Sequence, residues 1–153
     1  MWNIKLLTNA SRQDIDQLLQ IEEACFSTPM TEGQITGFLQ QNTTRYYVAG
    51  EPEKEIILGS VWLQAVMDEG YIGNVAVRPE HRRKGITKAL LSAVETDARR
   101  DGLCFLTLEV RQSNTPAIAL YSGQGYERVG IRPNYYKAPK EDAVLMTKRL
   151  EVL

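Results

Sequence analysis

The sequence predicts a mixed α/β fold, a mostly antiparallel central sheet of about six or seven strands with helices on both faces. Three observations carry that expectation. Residues 45–77 hold three runs rich in β-branched and aromatic side chains, "RYYVAG", "IILGSVWLQAV" and "YIGNVAV", separated only by "EPEKE" and "MDEG". That is the pattern of an antiparallel meander joined by turns. The period then changes: beyond "RPEHRRKG", Ile86, Ala89, Leu90, Ala93, Val94 and Asp97 mark one face at helical spacing. The strand–helix–strand over 71–110 is long enough for a parallel crossover, which turns the meander into a mixed sheet.

The remaining elements follow from local signals. Residues 3–7 form a short strand. Ser11, followed three residues later by Asp14, starts a helix that carries Ile15, Leu18, Leu19, Glu22 and Cys25 on one face, and "STPM" ends it. Thr31 caps a second helix through Gln40, weakened by Gly33 and Gly37. The third helix ends near Asp101-Gly102. "FLTLEVR" is the next strand, Asn114 caps a helix entered through Thr115-Pro116, and "YERVGIR" and "DAVLMTKRL" close the chain as strands. The chain of 153 residues, 1–153, is expected to form one domain with a core that needs no staples.

Composition excludes several classes. The 18 basic and 19 acidic residues nearly cancel, with no basic tail, so direct nucleic-acid binding is not expected and any polyanion site must be local. The two cysteines, Cys25 and Cys104, stand outside any CxxC spacing and His81 is the one histidine, so no metal site is expected. Both cysteines are expected to be buried free thiols of a reducing cytosol. No apolar run approaches membrane-spanning length and the N-terminus does not resemble a signal peptide, which predicts a soluble cytoplasmic protein without a membrane partner.

Two stretches carry chemistry. In "VAVRPEHRRKGIT" a strand runs through a basic turn into a helix N-terminus, where free N–H groups and the helix dipole favour an anion. Gly85 would let a phosphate approach the backbone, and Arg82, Arg83 and Lys84 add charge. An ordinary solvated basic loop is the alternative. In "FLTLEVRQSNTPAIALY", Leu106, Leu108 and Val110 share one strand face while Phe105, Thr107, Glu109 and Arg111 share the other. Glu109 near the strand's C-terminal end is a candidate acid or base, and an ion pair of Glu109 or Arg111 is the competing explanation. Tyr121 on the following helix is either a core residue or a proton donor.

These residues resemble a known family. "VAVRPEHRRKGIT" is similar to the acyl-CoA pyrophosphate loop of the GCN5-related N-acetyltransferases, in which Arg or Gln is followed by any two residues, Gly, any residue, and Gly or Ala; here Thr87 takes the last position. "LEVRQSNTPAIALYSGQGY", "RPNYY" and "EDAVLM" resemble the ribosomal-protein alanine N-acetyltransferases of the RimI type. "CFSTPMTEGQ" is similar to that group's F-x-x-P-W-[ST] segment, with Met30 in place of tryptophan. The resemblance spans essentially the whole chain. It implies Glu109 as general base, Tyr121 as general acid and Asn114 as a contact to acyl-CoA. It further implies that Val75, Ala76 and Val77 hold the pantetheine arm through strand backbone, that Arg82, Arg83, Lys84, Gly85, Ile86 and Thr87 cradle the pyrophosphate, and that Met30, Tyr135 and Tyr136 flank a peptide groove. The implied co-substrate is acetyl-CoA, and the implied acceptor is a ribosomal protein N-terminus, small-subunit protein eighteen.

Physical chemistry agrees with an α-amino acceptor. An α-amino group with a pKa of about 8 is roughly 10% neutral at pH 7, and a lysine is neutral to only a few parts in ten thousand, a gap of about 200-fold or more. One carboxylate base suits the former. Direct attack needs no nucleophilic cysteine, and neither cysteine sits beside a base in the sequence. Other N-termini, lysines or a small amine are alternative acceptors, and a non-catalytic acyl-CoA-binding module is the alternative from another class.

Overall fold

The computed structural model describes residues 2–150. A seven-stranded sheet runs in the order β1-β2-β3-β4-β5-β7-β6. Its strands are β1 (Asn3–Leu6), β2 (Thr44–Glu51), β3 (Ile56–Val66), β4 (Glu69–Val77), β5 (Phe105–Arg111), β6 (Glu127–Lys137) and β7 (Lys140–Arg149), and the helices are α1 (Arg12–Cys25), α2 (Glu32–Gln40), α3 (Ile86–Arg100) and α4 (Thr115–Gly123). β2, β3 and β4 form the expected antiparallel meander. β4 and β5 are the parallel pair, and β7 lies antiparallel between β5 and β6.

The side-chain alternation of β2 assigns the two faces. Tyr46 and Val48 pack with Leu18 and Ile21 of α1 and Ile35 of α2. Tyr47 and Ala49 point the other way, into the cluster of Leu90, Leu91 and Val94 of α3 with Ile118 and Tyr121 of α4. Helices therefore cover both faces. Asp97 sits on the apolar stripe of α3 because it accepts a hydrogen bond of 2.6 Å from the Tyr47 hydroxyl, a partner that the buried phenol needs. Arg45 pairs with Asp101 at the end of the same helix.

Both early helices begin where their caps were expected. Ser11 Oγ accepts from the Asp14 N–H while the Asp14 carboxylate accepts from the Ser11 N–H, and Thr31 and Gln34 repeat that reciprocal pair. Two expectations need correction. Cys25 and Cys104 are free but only half-buried, because Cys25 ends α1 at the rim of a cavity and Cys104 lies in the turn before β5. The last hairpin is longer than its apolar pattern suggested. β6 continues through Tyr135 and Tyr136 to Lys137, almost wholly exposed, so no alternation marks its length.

The parallel pairing of β4 with β5 is short. Glu69, Gly70 and Tyr71 stand opposite Phe105, Leu106 and Thr107, and beyond them the strands part. β4 follows β3 through a register shift near Trp62, where Asn74 adopts φ 48°, while β5 follows β7 as far as Arg111. Residues 72–77 of β4 consequently have no strand partner on the β5 side.

Gly73 lies under the Trp62 ring, and a Cβ there would overlap it, whereas a Cβ at Gly37 in α2 meets nothing within 4 Å. Gly73→Ala should destabilise the protein by about 1–3 kcal/mol through overpacking. Gly37→Ala should stabilise it by about 0.5–1 kcal/mol through helix propensity. Urea midpoints of the two variants check both signs, and equal midpoints would mean that the Trp62 ring is not fixed on Gly73.

Candidate active site

A cavity of about 380 Å³ opens where β4 and β5 part. Glu109 and Arg111 of β5, Asn114 and Tyr121 of α4, Val75 of β4, and Tyr135 and Tyr136 of β6 all line it. The residues predicted for catalysis are thus brought together, along with two of those predicted for the peptide groove. Residues 25–28 at the end of α1 and just beyond form the facing wall.

The alternation predicted for β5 holds: Leu106, Leu108 and Val110 are buried at 0%, 2% and 5% exposure, leaving Glu109 and Arg111 on the opposite face of the strand. Glu109 is itself only 6% exposed in its side chain. Arg132 Nε of β6 lies 2.9 Å from Glu109 Oε1, yet that oxygen receives no aligned hydrogen bond among the described residues. The two groups form a close ion pair. Arg111 pairs elsewhere, with Glu141 at 3.1 Å. Tyr121 is 7% exposed and meets Tyr126 edge-on at 6.0 Å between ring centroids. No hydrogen bond among the described residues engages its hydroxyl. Asn114 caps α4 as expected, its Oδ1 accepting from the Ala117 N–H at 3.3 Å, which leaves its Nδ2 for a ligand.

Of the predicted donor-site residues, Val75 and Asn114 line this cavity, whereas Ala76, Val77 and residues 82–87 lie outside its lining, at the end of β4 and the start of α3. Ala76 and Val77 bury their side chains on opposite faces of the sheet, so toward the opening they offer backbone alone. Arg82 folds back, donating from Nε to the Val77 carbonyl at 3.3 Å with Nη2 3.7 Å from Cys25 Sγ. Arg83, Lys84 and Gly85 are exposed, and Ile86 is anchored in the core. α1, α2 and α4 carry side-chain caps, whereas α3 starts at Gly85 with φ 81° and no side-chain cap. Its first-turn N–H groups face outward beside three cationic side chains and Thr87. A side chain at Gly85 would strain the backbone whatever space surrounds it.

Met30 lies apart from the cavity. It lines an adjoining groove of about 330 Å³ with Gly33, Gly37 and Phe38, and the two spaces share Trp62 and Asn74.

With this geometry in hand, comparison with known proteins is decisive. The model of the Acetyltransferase (GNAT) family matches residues 15–126. The chain belongs to that family. A [ribosomal protein bS18]-alanine N-acetyltransferase of Haemophilus ducreyi is 35% identical over 137 residues, covering 88% of this chain and 92% of the relative. A putative enzyme of the same description from Bacillus subtilis is 38% identical over 143 residues, covering 90% and 91%. The crystal structure of the ribosomal-protein-S18-alanine N-acetyltransferase from Escherichia coli superposes with a TM-score of 0.88 at 30% identity, covering 100% of this chain and 96% of that one.

Electrostatics in this acetyltransferase set the two candidate groups apart. Burial pushes the Glu109 carboxyl above its ordinary value, and the Arg132 charge opposes that shift. Burial also raises the Tyr121 phenol to about 12, so it remains protonated throughout the neutral range. Sequence reasoning missed Arg132, since its approach to Glu109 depends on β7 lying between their strands. It also missed a buried network behind the cavity. Glu22, 1% exposed, accepts from the Met30 N–H at 2.7 Å and from Asn74 Nδ2 at 3.0 and 3.1 Å. Two signals were present: a carboxylate on the apolar face of α1, and a Gly-Asn pair inside a strand.

Arg132→Gln removes the charge that favours ionised Glu109, so the carboxyl pKa must rise further. The acidic limb of the kcat/KM profile should then move to higher pH, with a larger loss at pH 6 than at pH 8. The amine's own titration is common to both enzymes and cancels in the comparison. An unmoved limb would show that Glu109 does not control it.

Proposed function

We propose that the chain, as one catalytic domain over 1–153, transfers the acetyl group of acetyl-CoA to the N-terminal alanine of ribosomal protein bS18, which would place its work in the cytoplasm. The observation that carries this proposal is the convergence of Glu109, Asn114 and Tyr121 on one cavity beside the unpaired edge of β4. Relatives of that description at 35% and 38% identity over most of the chain support the substrate.

The donor's long arm carries amides, and the side of β4 that β5 leaves unpaired beyond Tyr71 offers them a strand edge. Its pyrophosphate suits the uncapped start of α3 with Arg82, Arg83 and Lys84, whose charge a dianionic group would balance. The acceptor enters between residues 26–30 and Tyr135-Tyr136. Glu109 takes the proton as the amine nitrogen attacks the acetyl carbon, directly or through one water. The raised pKa of its carboxyl strengthens it as a base. The carbon–sulfur bond then breaks. A phenol near 12 is a weaker acid than a thiol of about 8.5, so full proton transfer from Tyr121 to the departing thiolate is uphill. Its larger contribution is a hydrogen bond to sulfur as negative charge develops there.

Tyr121→Phe should fold, bind acetyl-CoA nearly as the wild type does, and lose about 10²- to 10⁴-fold in kcat with an Ala-starting peptide. Glu109→Gln should lose most turnover relative to the wild type above the raised carboxyl pKa, where the wild-type base is ionised, and the deficit should narrow as pH falls through it. Thiol release from acetyl-CoA reads both. A folded Tyr121→Phe enzyme with wild-type turnover would remove the tyrosine from the mechanism, and binding of acetyl-CoA without turnover of any amine would favour the non-catalytic module.

A further inference from the structure

Both terminal nitrogens of Arg111 are engaged by the protein itself. Its Nη1 donates to the Pro139 carbonyl at 2.9 Å and to Glu141 Oε1 at 3.1 Å. Its Nη2 donates to the Ala138 carbonyl at 3.2 Å and to Ser27 Oγ at 3.1 Å. The guanidinium plane covers the Tyr136 ring at 4.3 Å from the centroid. Glu141 is held in turn by the Ser113 N–H at 2.6 Å, and these hydrogen bonds keep its carboxyl below the usual range and charged.

Every one of these links ends on a wall of the acceptor entrance. Ser27 belongs to residues 26–31 between α1 and α2, and the others belong to the β6–β7 hairpin. Among the described residues, the Arg111–Ser27 hydrogen bond is the polar link that joins these two walls. Elsewhere, residues 26–31 are tied back toward α1 and β4, through Glu22 and Asn74. Arg111 stands two residues beyond Glu109 on the same face of β5.

We propose that Arg111 is a positioning residue that sets the width of the acceptor entrance and so aims the peptide's amine at Glu109. This rests on the peptide acceptor proposed above. The residue contributes through the planar fork of its side chain, which reaches two acceptors with each terminal nitrogen while stacking on an aromatic ring. A lysine keeps the charge but cannot reproduce that geometry. Positioning errors of about 1 Å are enough to cost up to about 10²-fold.

The test compares wild type, Arg111→Lys, Ser27→Ala and the double variant in steady-state assays with an Ala-starting peptide and acetyl-CoA, alongside thermal midpoints and pH profiles. Arg111→Lys should raise the peptide KM about tenfold or more while the acetyl-CoA KM stays within about twofold. Its acidic limb should not move, because the charge contact to Glu109 comes from Arg132. Ser27→Ala, which cuts a single link, should raise the peptide KM about threefold at an unchanged midpoint, and the double variant should be no worse than Arg111→Lys alone. An unchanged peptide KM in folded Arg111→Lys overturns the proposal, as does an equal rise for both substrates. If Arg111→Lys does not fold, an unchanged peptide KM in Ser27→Ala overturns it instead. A wild type that acetylates no Ala-starting peptide overturns the substrate reading and this inference with it, whereas an active wild type with an unaffected Arg111→Lys overturns this inference alone.

Discussion

Three residue pairs hold β4 to β5, and the strands then separate because each is committed to a different neighbour: β4 to β3 as far as Val77, and β5 to β7 as far as Arg111. The bulge at Asn74 bends β4 further from its parallel partner. An unpaired stretch of strand inside a sheet is normally a liability, since its N–H and C=O groups lack partners. Here it borders a cavity into which the C-terminal end of β5 delivers a carboxylate and the last turn of α4 delivers a tyrosine. The opening is kept by structure on both sides. Buried Glu22 satisfies Asn74 at the bulge, and the Gly73–Trp62 contact packs the sheet beside it.

The same desolvation acts on both catalytic candidates with opposite consequences. A buried carboxylate is a stronger base than an exposed one, so burial favours Glu109 as the proposed base. A buried phenol is a weaker acid, so burial makes Tyr121 a poorer source of a complete proton while keeping its hydroxyl protonated and dry. The cavity therefore favours a mechanism in which base strength does the deprotonation and a fixed dipole meets the charge on sulfur. The amine, rather than the tyrosine, is then the ultimate source of the proton that neutralises the departing thiolate.

Much of this was legible in the sequence, and the limit is physical. Helix starts at Ser11, Thr31 and Asn114 were readable because a cap is made by residues three apart. The alternation of β5 was readable because one of its faces is buried. The pairing of Glu22 with Asn74, 52 residues apart, and of Arg111 with Ser27, 84 apart, was not, because no local rule links such positions. The length of β6 escaped for the converse reason: with both faces exposed, the strand has no apolar period to betray it. Arg132 reaches Glu109 only because β7 is inserted between their strands, a matter of strand order that composition and spacing do not encode.

The charges that end β5 had two competing explanations, an ion pair or catalysis, and in the structure each has an ion-pair partner, Arg132 for Glu109 and Glu141 for Arg111. Glu109 and Arg111 share one strand face, near enough in sequence to compete for each other. A tight hydrogen-bonded pair between them would lower the carboxyl pKa and occupy the oxygen a base must present. The arrangement avoids this. Glu141, itself fixed by Ser113, engages Arg111 together with two backbone carbonyls and Ser27, which holds both terminal nitrogens of the guanidinium away from Glu109. Glu109 is left with Arg132, a half-exposed side chain on an edge strand that offers charge without an aligned hydrogen bond. The two charges at the end of β5 thus take separate partners, Arg111 the hairpin and Ser27, Glu109 the single charge of Arg132, and the anchoring of Arg111 keeps them from pairing with each other.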